Sequence, residues 1–232
     1  MCLYIRWCSF RQNPAMTNQF SSINSKAKLF QELKKQMPNW WIRLINDNDL
    51  YTSLQKDRYY TNGMFISYKY LSKNKKENLE KKILEWQIGH EMYSPQKATV
   101  TKLSEHDRPF ASYLFGSFGI NRIYKNKSIL NTSIQVGVIG PSAYGAEIQD
   151  FIHDIYGFDE AVGWQYQISD AFGLNLNTTY IKHLKTSKSN IVDVYWANKV
   201  RLGTVFTDFS SGIYTRLGFS TLQSIFNSIG FN

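Results

Sequence analysis

Apolar and polar side chains alternate along most of this chain. In Leu84–Met92 (LEWQIGHEM), Leu84, Trp86, Ile88 and Met92 share one parity, and Glu85, Gln87, Gly89 and Glu91 share the other. In 130–138, Leu130, Ile134, Val136 and Val138 oppose Asn131, Ser133, Gln135 and Gly137. Further on, Phe172, Leu174, Leu176 and Tyr180 oppose Gly173, Asn175, Asn177 and Thr179. Val192, Val194, Trp196, Val200 and Leu202 oppose Asp193, Lys199 and Arg201. Similar runs cover 40–46, 64–72, 110–118 and 211–219. Side chains of a strand point alternately to its two faces, so this period predicts half-apolar β-strands, about eight of them. Residues 1–38 show no clean period and end at Pro38, which marks them as an N-terminal extension to a β-domain over 39–232.

One segment breaks the rhythm. After Gly140-Pro141, Ile148, Phe151, Ile152 and Ile155 recur at three and four residues. That spacing predicts a short helix, with Gly157 as its stop. Gln149 and His153 are four residues apart on it and therefore share one helix face.

The alternation raises the question of which face is buried. In a soluble barrel the apolar face is inside; in a membrane barrel lipid is outside and the lumen is polar. The polar faces here carry Gly, Asn, Gln and Ser, which pack inside a lumen. Trp40, Trp41, Tyr68, Tyr70 and Tyr93 lie near run ends, as an interfacial aromatic girdle requires. The pattern therefore predicts an all-β, antiparallel transmembrane β-barrel of outer-membrane type with one short helix, ahead of a soluble β-sandwich. No stretch approaches the roughly 18 apolar residues of a transmembrane helix.

Composition adds little that conflicts. Aromatics make up 16% of the 232 residues, and the net charge is +9. A basic surplus suits a polyanionic partner. No zinc finger or helix-turn-helix is evident, so nucleic acid is not expected. Runs such as Lys73–Lys76 (KNKK) also read as solvated turns. The two cysteines, Cys2 and Cys8, form no disulfide framework or metal site. The first 16 residues lack a sustained apolar core and a cleavage site, so a signal peptide is expected to be missing from the sequence.

Two groups could carry chemistry. His153 is a candidate general base, since histidine titrates near neutral pH; a lone helical histidine is otherwise a structural residue. Asp47-Asn48-Asp49 ends one run, and Thr61-Asn62-Gly63 opens the next. Asx residues there cap turns. Read as a site instead, they offer oxygens for calcium, with a Gly-containing turn exposing backbone carbonyls. The spacing is not that of an EF-hand. Motifs for a serine nucleophile elbow, a zinc helix and a phosphate loop are lacking. His106, in EHDRP, reads as a loop residue.

Taken together, DRYYTNG, MYSP, DRPFASYLFGS, GVIGPSAYGAEIQDFIHDIYG and GWQYQI, in this order behind Asn48-Asp49, resemble the outer-membrane lipid A 3'-O-deacylase family. The resemblance runs from about Trp40 to Phe219. It implies a twelve-stranded barrel in the Gram-negative outer membrane that removes the 3'-linked acyloxyacyl chain of lipid A, dependent on calcium (Ca2+). It implies that His153 activates water and that Asn48, Asp49, Thr61 and Gln149 complete the catalytic set. Asp49, with Asp159 or Glu160, would hold the metal. Lys97 or Lys102 would face the substrate, and the sequence leaves open which. The implied partners are lipopolysaccharide and the membrane, and a monomer is expected. About eight strands fall short of twelve, so the barrel is expected to be incomplete at the C-terminus. A non-enzymatic barrel on the same scaffold is the alternative.

Overall fold

The computed structural model describes residues 3–7, 39–48, 59–73, 76–96, 102–157 and 162–222. Among them nine strands form one antiparallel sheet in simple sequence order. They are β1 (Leu3–Trp7), β2 (Trp40–Asn48), β3 (Tyr59–Leu71), β4 (Leu79–Ser94), β5 (Ala111–Tyr124), β6 (Ile129–Ile139), β7 (Ala171–Thr186), β8 (Val192–Gly203) and β9 (Asp208–Leu217). The sheet curls as a part of a barrel wall. One α-helix, α1 (Gly145–Tyr156), follows β6 after a single 3-10 turn, Pro141–Ala143. Gly157 ends it in the left-handed conformation (φ 69°), and its N–H bonds the His153 carbonyl. No helix of the described residues is long and apolar enough to cross a membrane.

Eight of the nine strands coincide with the alternating runs. The exception is β1, which lies where the sequence shows no clean period and pairs with β2 through Leu3↔Asn46 to Trp7↔Ile42.

Burial separates the two faces as the alternation predicts. Ile66 is 57% exposed while its neighbour Ser67 is fully buried. Ile42, Leu44, Trp86, Ile88, Ile134, Val136, Leu174, Leu176, Trp196 and Leu202 are likewise exposed on the apolar parity. The polar parity turns inward and satisfies itself there, as buried polar groups must. Gln87 donates to Ser67 (2.9 Å) and Asn175 to the Tyr113 hydroxyl (3.3 Å). Lys69 pairs with Glu85 (2.9 Å), and Asp193 accepts from Thr186 (2.6 Å) and Arg216 (3.3 Å). At the end remote from α1, Trp41, Ile83, Ile123, Ile129 and Tyr195 form an apolar cluster. Such a wall, apolar outside and polar within, is stable only in lipid.

The stretch Thr61-Asn62-Gly63 is not the turn that its composition suggests. It lies inside β3. Gly63 is needed for close approach, since a side chain there would run into the Tyr60 and Phe65 rings.

Candidate functional site

The register of β3 against β4 slips between Tyr60 and Asn62. Tyr60 pairs with Tyr93, and Asn62 pairs with Met92. Thr61 is therefore the extra residue of a β-bulge, a device that re-aims side chains at barrel rims. Its effect is to bury Thr61 and Asn62 side by side. The Thr61 and Ser94 hydroxyls share a hydrogen bond.

Asn62 also pairs with Asn48, and Met92 with Ser112. Asn48, Asn62, Met92 and Ser112 thus form one row across four strands. By parity, Asn48 shares the face of Ile42 and Leu44, Asn62 that of Ile66 and Tyr68, and Met92 that of Trp86 and Ile88. The row belongs to the outer wall. It is nevertheless buried at Asn62 (2% exposed), Met92 and Ser112, because α1 lies over it.

Several contacts hold α1 down. Met92, Phe110 and Trp164 pack against Ala146, Ile148 and Ile152. A side chain at Gly145 would sit 2.5 Å from Ser112 Cβ and from the Trp164 ring, so only glycine lets the first turn touch the wall. His90 Nε2 donates to the Ala143 carbonyl (2.7 Å), and Ser112 donates to the Gly140 carbonyl (3.0 Å). The Ser142 N–H and hydroxyl both donate to Asp170 (2.8 Å each). His90 is thus a buried peg beneath the turn that leads into α1.

Between α1 and the wall is a cavity of about 10 Å³, lined by Asn48, Thr61, Asn62, Met92, Gln149, Ile152 and His153. It has room for a single water. Four residues singled out from the sequence, Asn48, Thr61, Gln149 and His153, therefore meet at one point. Asn62, read from the sequence only as part of a turn that exposes backbone carbonyls, lines it too, and Met92 and Ile152 complete the lining without having been expected there.

The hydrogen bonds order the site. An indole N–H can only donate. Trp164 Nε1 donates to Gln149 Oε1 (2.7 Å), which turns the amide NH2 of Gln149 toward His153 Nε2 (3.3 Å). In that arrangement Nε2 is the acceptor of the pair. Trp164 was visible only as part of the GWQYQI block. Nothing in the spacing links it to Gln149.

Asp49, Asp159, Glu160 and Lys97 lie outside the described residues. Lys102 is exposed in the β4–β5 connection and does not line the cavity. That connection is tied down at its ends. The Gln96 N–H donates to Asp107 (2.8 Å) and holds its carboxyl below the usual carboxylate range. Arg108 lies 3.9 Å over the Tyr59 ring. His106 is a half-buried loop residue edge-on to Phe110 and Tyr166, as its context suggests.

The cavity offers hard, neutral oxygens to a cation such as calcium. No three His, Cys, Asp or Glu residues gather as a metal cluster among the described residues. The Asn62 Oδ1 is buried and has no hydrogen-bond partner there. Beside it are the Asn48 amide and the Thr61 hydroxyl. Amide and hydroxyl oxygens are ligands calcium accepts, so this donor set fits the ion.

Comparison with known proteins agrees with this architecture. A family model described as outer membrane protein LpxR matches residues 10–231. Among solved structures the chain is similar to LpxR from Salmonella typhimurium, with 26% identity and a TM-score of 0.56. The likeness covers 68% of this chain and 53% of that one, so the chain spans about half the length of that relative. No curated protein matches.

Proposed function

This chain belongs to the outer membrane protein LpxR family and resides in the outer membrane, and from that premise we propose that it hydrolyses the 3'-linked acyl ester of lipid A, with calcium as cofactor. The observation that carries the proposal is the position of the cavity. It lies on the lipid-facing side of the wall, under α1, rather than in the lumen. A hydrolytic site there meets lipids that diffuse in the leaflet. A solute crossing a pore would not reach it.

The chain's own residues account for the proton traffic. A water in the cavity takes the place of the long Gln149 contact at His153 Nε2, gives its proton to that nitrogen and attacks the ester carbonyl. The carbonyl carbon–sugar oxygen bond then breaks, and the imidazolium returns its proton to the departing sugar oxygen. Fatty acid and alcohol are the products. The Asn48 amide is the donor for the developing oxyanion, a contribution of about 3 kcal/mol in comparable sites. Thr61, tied to Ser94, orients the water. Asp49 would hold calcium together with oxygens of the cavity lining, and the ion would supply Lewis-acid polarisation of the ester. The basic surplus of the chain complements a phosphorylated lipid.

The reading is tested on lipid A extracted from a Gram-negative host that expresses the chain. Mass spectrometry is expected to show loss of a whole 3'-acyloxyacyl group, suppressed by a calcium chelator. An unchanged lipid A profile from correctly inserted protein would favour the non-enzymatic barrel.

Trp164→Phe isolates the role of the indole. The ring still packs on Phe110, but the donor to Gln149 is gone. Gln149 is then free to present its oxygen to His153 and to demand a proton at Nε2. A hydrogen bond of about 1 kcal/mol translates into a fall of roughly five- to tenfold in kcat, with KM little changed. A rise in KM alone would assign Trp164 to lipid contact instead.

A further inference from the structure

Asn62 has no task in the mechanism above, yet the fold goes to some length to place it. We propose that the Asn62 side-chain oxygen is a ligand of the cation at this site. The inference rests on the calcium part of the proposed function and adds a residue to it.

Three observations carry it. First, Asn62 is 2% exposed and its Oδ1 has no hydrogen-bond partner among the described residues. A buried acceptor left bare bears its whole desolvation cost. That cost is removed when a cation or donor fills the cavity that Asn62 lines. Second, the bulge at Thr61 turns two consecutive residues toward the site, where a regular strand would turn only one. Third, two of the donors in the lining are already committed. The Gln149 NH2 faces His153, and the Thr61 hydroxyl is engaged with Ser94. Asn48, the register partner of Asn62, brings a second amide to the same point. Calcium takes six to eight oxygens, many of them neutral carbonyls. Carboxylates alone rarely fill such a shell, and Asn62 supplies the kind of oxygen that is needed.

The experiment measures calcium binding directly, by calorimetry on the full 232-residue chain folded in detergent micelles. Asn62→Leu keeps the side-chain size and removes the oxygen. It is expected to weaken calcium binding at least tenfold. Asn62→Asp keeps an oxygen and adds charge, and is expected to tighten binding severalfold. Heat-dependent mobility on gels reports whether each variant folds. Should Asn62→Leu fail to fold, Asn62→Asp carries the test, and unchanged affinity in it overturns the proposal. Wild-type affinity in folded Asn62→Leu overturns it too, as does a wild-type chain that binds no calcium. His153→Ala is expected to bind calcium normally. Unprocessed lipid A from cells that produce the correctly inserted wild-type chain would refute the hydrolase reading while leaving the Asn62 result to stand by itself.

Discussion

Lipid A from cells producing the His153→Ala variant is expected to keep its 3'-acyloxyacyl group. Loss of a positioned general base lowers rates by about 10²- to 10⁴-fold, which over the course of a culture is indistinguishable from no reaction. The variant should still fold. His153 is only half-buried, and its contact with Gln149 is a long one at 3.3 Å. The strands that form the wall do not depend on it. A normal heat-modifiable band with unprocessed lipid A is therefore the predicted pair of results. Wild-type processing by a folded His153→Ala chain would remove this histidine from the mechanism.

A second large effect is expected far from any titrating group. Gly145→Val puts a side chain where Ser112 Cβ and the Trp164 ring are already 2.5 Å from the first added carbon. The Ser112 Cβ is fixed by its strand and the indole is packed on Phe110, so the first turn of α1 must lift from the wall. Gln149 and His153 ride on that helix, while Asn48, Thr61 and Asn62 stay with the strands. A displacement of about 1 Å between reacting groups can cost about a hundredfold. Deacylation should fall by at least that factor while the barrel still inserts. Full activity in Gly145→Val would mean that the seating of α1 on the wall does not set the geometry of the site.

Much of this was legible along the chain, for a physical reason. Strand periodicity is local, so eight strands and their outward faces could be read from neighbouring residues alone. The helix and its Gly157 stop were equally local. His153 and Gln149 were placed together by helical spacing, and Asn48 and Thr61 by block resemblance to the LpxR family, a resemblance that the family match bears out. Other features were misread or invisible. Thr61-Asn62-Gly63 has the composition of a turn, but register with β2 and β4 holds it extended. A bulge depends on the count of residues on the partner strand, which the bulged strand does not encode. The donor from Trp164 to Gln149 joins two segments whose proximity is set by packing on Met92 and Phe110.

By itself, then, the sequence determined what alternates: which residues form strands, which face meets lipid, and where one helix interrupts. Tertiary structure alone decided that the helix lies on the outside of the wall, that a one-residue bulge aims both Thr61 and Asn62 beneath it, and that an amide oxygen is left bare there. Periodicity is a property of neighbours in the chain, whereas a site on the wall is made by strands and a helix that meet only when the sheet has closed its register.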